Sequence, residues 1–247
     1  MAISPSALSL NVRTRAKSIG WCMLMFLGYV AVMYSMLVAL SKVSHLLPVP
    51  GGVTATWWAV DRLLTIWAIA DVIGVFLPLW VYLHWRGKRI RDLGFVGRGT
   101  VVSWGLVLIV QMLISAWDIT RGGASTIPHV FSFYWLYAGL VIGFAAGISE
   151  EVFFRGFLMS ELKAGGNGPF AQVLISAILF GLIHIAYGGW DIPVLTGLLG
   201  AFWSVIYLIG RRSLWPSMVA HAVNDALLIP AVYYVILTHI SKASGAG

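Results

Sequence analysis

The sequence predicts an all-α fold, a polytopic transmembrane helical bundle of seven or eight spans with its N-terminus in the cytoplasm. Three observations carry this. Of 247 residues, 60% are hydrophobic and 10% charged, with a mean hydropathy of +0.89, against about 25% charged in an ordinary soluble domain. Apolar runs lie at residues 20–41, 63–84, 101–117, 131–149, 170–186, 192–210 and 214–240. Each is near the ~20 residues that cross ~30 Å of hydrocarbon at about 1.5 Å per residue. Twelve of the sixteen Lys and Arg fall in alternate connections, which the positive-inside rule makes cytoplasmic. In lipid the backbone must be paired within each segment, so the runs read as helices rather than strands.

Residues 1–18 read as a cytoplasmic tail carrying Arg13, Arg15 and Lys17. The first run follows this basic stretch as a secretory signal would, yet it exceeds the ~7–15-residue apolar core of a signal and no small-residue cleavage site follows. It reads as a retained helix. Its Cys22 is the only cysteine, so no intrachain disulfide can form. After the second run, "HWRGKRIRDLGFVGRGT" holds Arg86, Lys88, Arg89, Arg91 and Arg98 and reads as a connector on the membrane surface. The third run ends in a Gly-rich outer loop, "DITRGGASTIPH". The fourth continues past Arg155 and Lys163 to a helix-breaking turn at Gly165–Pro169. Arg211 and Arg212 form the sixth connection, and Pro230 splits the last run if there are eight spans. Residues 19–241 make one transmembrane domain and 242–247 a mobile tail. The net charge of +7 is what topology and anionic lipid demand, so no nucleic-acid partner is implied.

Ionisable groups inside apolar segments cost at least ~2.5–3.5 kcal/mol on insertion scales and are functional candidates by default. They are Asp71, Glu150, Glu151, Arg155, His184, His221 and Asp225. Glu151 and Arg155 are four apart with the acid N-terminal, which suits a structural ion pair. Glu150 then has no cation at helical spacing, and a carboxyl in such surroundings is suited to proton transfer near neutral pH. Glu150 and His184 each lie about fourteen residues from the Gly165–Pro169 turn on antiparallel arms, hence at one depth, ~21 Å from it. His221 comes nine residues after Arg212, or ~14 Å along its helix, with Asn224 and Asp225 on the same face at i+3 and i+4. The small residues of "GFAAG", Gly143 to Gly147, suit close helix packing. Asp71 reads as an interior hydrogen-bonding residue or a cavity-lining one and stays outside the candidate set. His45, His84, His129 and His239 sit near helix ends or in loops and also stay outside it.

"EEVFFR" (Glu150, Glu151, Arg155), "FGLIH" (Phe180, His184) and "HAVND" (His221, Asn224, Asp225) resemble the EExxxR, FxxxH and HxxxN/D motifs of the CAAX-protease and bacteriocin-processing family, the Abi or type II CAAX prenyl endopeptidases. The resemblance covers about residues 131–240, the protease-like core. It implies an intramembrane endopeptidase in which Glu150 and His184 activate water while His221 and Asp225 serve the oxyanion. An oxyanion needs a donor, so Asp225 is expected to orient His221 while the imidazole or Asn224 donates. The metal question has two branches. Glu150, His184 and His221 make a zinc set of two histidines and a carboxylate, but the H-E-x-x-H arrangement is missing, so no obligatory metal or other cofactor is expected. The implied partners are membrane lipid and a peptide or protein substrate, prenylated or membrane-anchored. The setting is the cytoplasmic membrane in a bacterium or the endoplasmic reticulum in a eukaryote. A non-catalytic immunity or scaffold protein with the same fold, and a proton-coupled transporter, are the competing classes.

Overall fold

The computed structural model describes residues 5–44, 53–120, 133–185 and 189–226, which form helices joined by turns and irregular connections. In chain order the helices are α1 (Pro5–Ser44), α2 (Val53–Trp85), a 3₁₀ turn (Ile90–Leu93), α3 (Val101–Thr120), α4 (Phe133–Glu151), a π-helix (Val152–Leu158), α5 (Met159–Ala164), α6 (Pro169–Ile183) and α7 (Asp191–Ile209). A last helix, α8, covers residues 215–226.

The all-α reading holds, but seven or eight spans is corrected. Among the described residues three helices are long and apolar enough to cross a membrane: Val12–Val43, Leu64–Trp85 and Asp191–Ile209. Helices of this kind are consistent with an integral membrane protein. The overcount arose because an apolar run is not the same thing as a helix of that length. The run at 170–186 becomes a 15-residue helix that ends before His184, so it reaches only about 22 Å. Pro230 and the question of an eighth span lie outside the described residues, as do His45, His129, His239 and the 242–247 tail. Helix α1 also starts at Pro5, so Arg13, Arg15 and Lys17 ride on a helix that continues into the first apolar run.

α1 packs along α2, α2 along α4, and α6 along α7. The Gly165–Pro169 turn forms with Gly166 at φ +81° and Pro169 in the first turn of α6, where its missing N–H costs nothing. Side chains from other elements tie this end down. Asn167 Nδ2 donates to Ser18 Oγ on α1 (2.9 Å), Gln172 Nε2 to Asn167 O (2.6 Å), and Arg212 Nη2 to Gln172 Oε1 (2.6 Å).

A seam of small residues joins α4 to α8. A Cβ placed on Gly139 would sit 2.6 Å from Ala226 O, one on Gly143 2.5 Å from Ala222 O, and one on Gly147 2.5 Å from Ala222 Cα. Backbone meets backbone there, and the three glycines repeat every four residues along one face. Gly147→Ala is therefore expected to destabilise by ~1–3 kcal/mol, because the atoms in the way belong to the main chain and cannot swing aside. Gly105→Ala on α3, where no atom lies within 4 Å of the new methyl, is the control and should be neutral or stabilising. Thermal unfolding in detergent compares the two.

Directly after Glu151 the helix widens. Met159 N–H bonds Phe154 O, five residues back, and all of Val152–Leu158 is buried. Such π segments occur mostly where a site demands them. The aromatic rings of this segment build the core around it: Phe153 packs on Tyr29 (5.1 Å), Phe157 on Tyr82 (4.9 Å) and Phe154 on Phe180 (5.1 Å).

Candidate active site

Four elements converge on one imidazole. His221, on α8, places Nδ1 3.0 Å from Glu151 Oε1 and Nε2 3.3 Å from Asp225 Oδ2. The same Nε2 lies 3.8 Å from Glu150 Oε2. Asp225 is four residues on from His221 in the same helix, so the helical repeat alone brings them together. The two glutamates reach His221 because the glycine seam lets α4 approach α8 at backbone distance.

Glu151 Oε1 also accepts Arg155 Nη1 at 2.6 Å, both side chains fully buried. Arg155 Nη2 donates to Gly200 O on α7 (2.7 Å), and the guanidinium lies 4.8 Å from the centroid of the Phe180 ring. Glu151 thus ties an arginine of the π-helix to a histidine of α8. Trp203 stacks on His221 at 6.2 Å and Phe180 meets it edge-on at 5.6 Å, giving the imidazole two apolar walls.

Glu150 has different surroundings. It is 1% exposed, and its Oε2 has no hydrogen-bond partner among the described residues. A buried carboxylate oxygen in that state calls for an explanation. Asn224 Nδ2 donates weakly to Asp225 Oδ1 (3.3 Å), while the buried Asn224 Oδ1 likewise lacks a partner among the described residues.

His184 closes α6 and is half-buried. Its Nδ1 is 2.8 Å from Phe180 O, and since a carbonyl only accepts, Nδ1 carries the proton and Nε2 the lone pair. The two imidazoles flank one aromatic ring, with Phe180 centred 5.0 Å from His184 and 5.6 Å from His221. The structure therefore brings Glu150, Glu151, Arg155, His221 and Asp225 into one cluster with Asn224 at its edge, and sets His184 beside it across Phe180. Glu150, paired with His184 by depth in the sequence, has His221 as its close ionic neighbour.

One carboxylate that the sequence reading leaves outside the candidate set is an interior hydrogen-bonding residue, the first of its two expected roles. Asp71, on α2 and fully buried, accepts hydrogen bonds from Tyr29 of α1 and Ser149 of α4. Its signal was available, since it is an ionisable group in mid-span, but no motif marked it.

Among the described residues no group of three or more His, Cys, Asp or Glu side chains is disposed to hold a metal ion. Both nitrogens of His221 face carboxylates.

The family model described as Type II CAAX prenyl endopeptidase Rce1-like matches residues 131–227. That stretch contains every residue of the cluster, while Asp71 and Tyr29 lie outside it. Neither the curated proteins nor the solved structures return a match.

Proposed function

We propose that the likeness over residues 131–227 extends to chemistry, and that the chain is a membrane-embedded endopeptidase of the CAAX prenyl protease type. The observation that carries this reading is the buried, unpartnered Oε2 of Glu150 beside His221. A general base needs an oxygen able to accept a proton from water, and this oxygen is committed to no protein donor among the described residues.

In the proposed reaction a water bound to Glu150 gives it a proton as the water oxygen bonds to the scissile carbonyl carbon. His184, whose tautomer is set by the Phe180 carbonyl, accepts the water's second hydrogen bond at Nε2. Negative charge gathers on the former carbonyl oxygen, and a donor aimed there accounts for much of the catalysis. His221 supplies it from Nε2, oriented by Glu151 and Asp225. With a carboxylate beside each ring nitrogen the ring is an imidazolium, and its Nε2–H, 3.3 Å from Asp225 Oδ2, is shared with the oxyanion as charge develops. The intermediate then collapses: the C–N bond breaks and Glu150 returns the proton to the leaving nitrogen. Arg155 keeps Glu151 in place and does not touch the substrate.

Protein purified in detergent is expected to cleave a prenylated peptide bearing a CAAX terminus, with the unprenylated peptide as the specificity arm and mass spectrometry as the readout. Cleavage should survive a chelator and fall ~10²–10⁴-fold in His184→Ala. Abolition by chelator with rescue by zinc would replace the base assigned to Glu150 by a metal-bound route. A folded wild type that cleaves no member of a peptide library would move the chain to the scaffold class.

A further inference from the structure

We propose that Asp71 is a positioning residue for Glu150, so that the site is completed by α1 and α2, outside the stretch that resembles the protease family. This rests on the reading of Glu150 as the catalytic base.

A fully buried carboxylate needs its charge or its lone pairs satisfied. Asp71 meets this with two hydroxyls, Tyr29 Oη on one oxygen and Ser149 Oγ on the other, and all three side chains are 0% exposed. Ser149 is the residue immediately before Glu150. Its single O–H is shared with Ala145 O at 2.5 Å, one turn back on α4. The hydrogen bond from Ser149 to Asp71 therefore fixes how α4 is rotated about its axis at the position next to the base.

Such a pin matters here more than elsewhere on the helix. Within an α-helix the i→i−4 ladder sets the direction of every side chain. Glu150 and Glu151 stand where that ladder gives way to the π-helix of Val152–Leu158, so local hydrogen bonding constrains their direction less. A tertiary anchor from α2 restores it. Tyr29 in turn holds Asp71 from α1 and packs its ring 5.1 Å from Phe153 and 6.4 Å from Phe154, on the π-helix itself. The chain Tyr29–Asp71–Ser149 thus clamps both sides of the junction that carries the base.

The test measures cleavage by wild type, Asp71→Asn, Ser149→Ala and the double variant, together with thermal unfolding of each. Positioning predicts a fall in kcat of about 10–100-fold, the range for residues that orient a catalytic group, with KM unchanged. It also predicts that the double variant is no slower than Asp71→Asn alone, because both changes release one restraint. Ser149→Ala keeps the test open if Asp71→Asn does not fold. Wild-type kcat in both single variants, with Glu150→Gln inactive, overturns the inference and leaves the peptidase reading standing. If the wild type cleaves nothing, the infrared carboxyl band that disappears in Glu150→Gln provides the readout. It should move in Asp71→Asn and Ser149→Ala, and a band that stays in place overturns the inference without reference to activity.

Discussion

Glu150→Gln is expected to lower kcat by about 10³-fold or more while the protein stays folded and gains stability. The two effects have one cause. Glutamine matches the shape of glutamate but cannot take a proton from water, so the proposed first step is lost. The group removed is a buried carboxylate, 1% exposed, with no hydrogen-bond donor on Oε2 among the described residues, and deleting it relieves a desolvation cost that the ionic contact with His221 at 3.8 Å offsets only in part. His221 keeps Glu151 and Asp225 at 3.0 and 3.3 Å, so no cation is orphaned. Glu151→Gln should do the reverse to stability, since Glu151 Oε1 serves both Arg155 and His221. Peptide cleavage and thermal unfolding on the same preparations check both halves. A Glu150→Gln protein that cleaves near the wild-type rate would remove the base from the mechanism.

Arg155→Met is expected to cost ~3–5 kcal/mol, the usual penalty for taking one member from a buried ion pair. Methionine fills much of the volume, so the loss reports charge and hydrogen bonding rather than a cavity. Glu151 would keep its negative charge with no guanidinium beside it, and Gly200 O on α7 would lose its donor. Adding Glu151→Gln to Arg155→Met should recover part of the loss, because the stranded charge goes with it, and the double-mutant cycle measures the coupling. Unfolding in detergent gives the values. A penalty under ~1 kcal/mol would place the pair among those that behave as if exposed.

What the sequence made legible is what depends on short-range geometry. A spacing of four brings Glu151 to Arg155 and His221 to Asp225, because helical neighbours need no knowledge of the rest of the fold. Counting residues from the Gly165–Pro169 turn placed Glu150 and His184 at one depth, but axial rise says nothing about direction around the axis. The π-helix after Glu151 changes that direction, and its residues, VFFRGFL, read as ordinary apolar helix. Asp71 escaped for a related reason. Its partners Tyr29 and Ser149 are 42 and 78 residues away, and hydroxyls carry no charge pattern to pair by eye. The span count failed because hydropathy reports which residues avoid water, not where a helix ends. His184 shows this plainly, since it lies inside an apolar run and just past the end of α6.

The glycine seam leaves no compliant layer between the helix that carries Glu150 and the one that carries His221. Ordinary helix pairs absorb a tilt by letting interdigitated side chains change rotamer, but glycine against alanine has nothing to yield. The pair must move as one lever, and any bending stress the surroundings apply to either helix arrives at the carboxylate and the imidazole undamped.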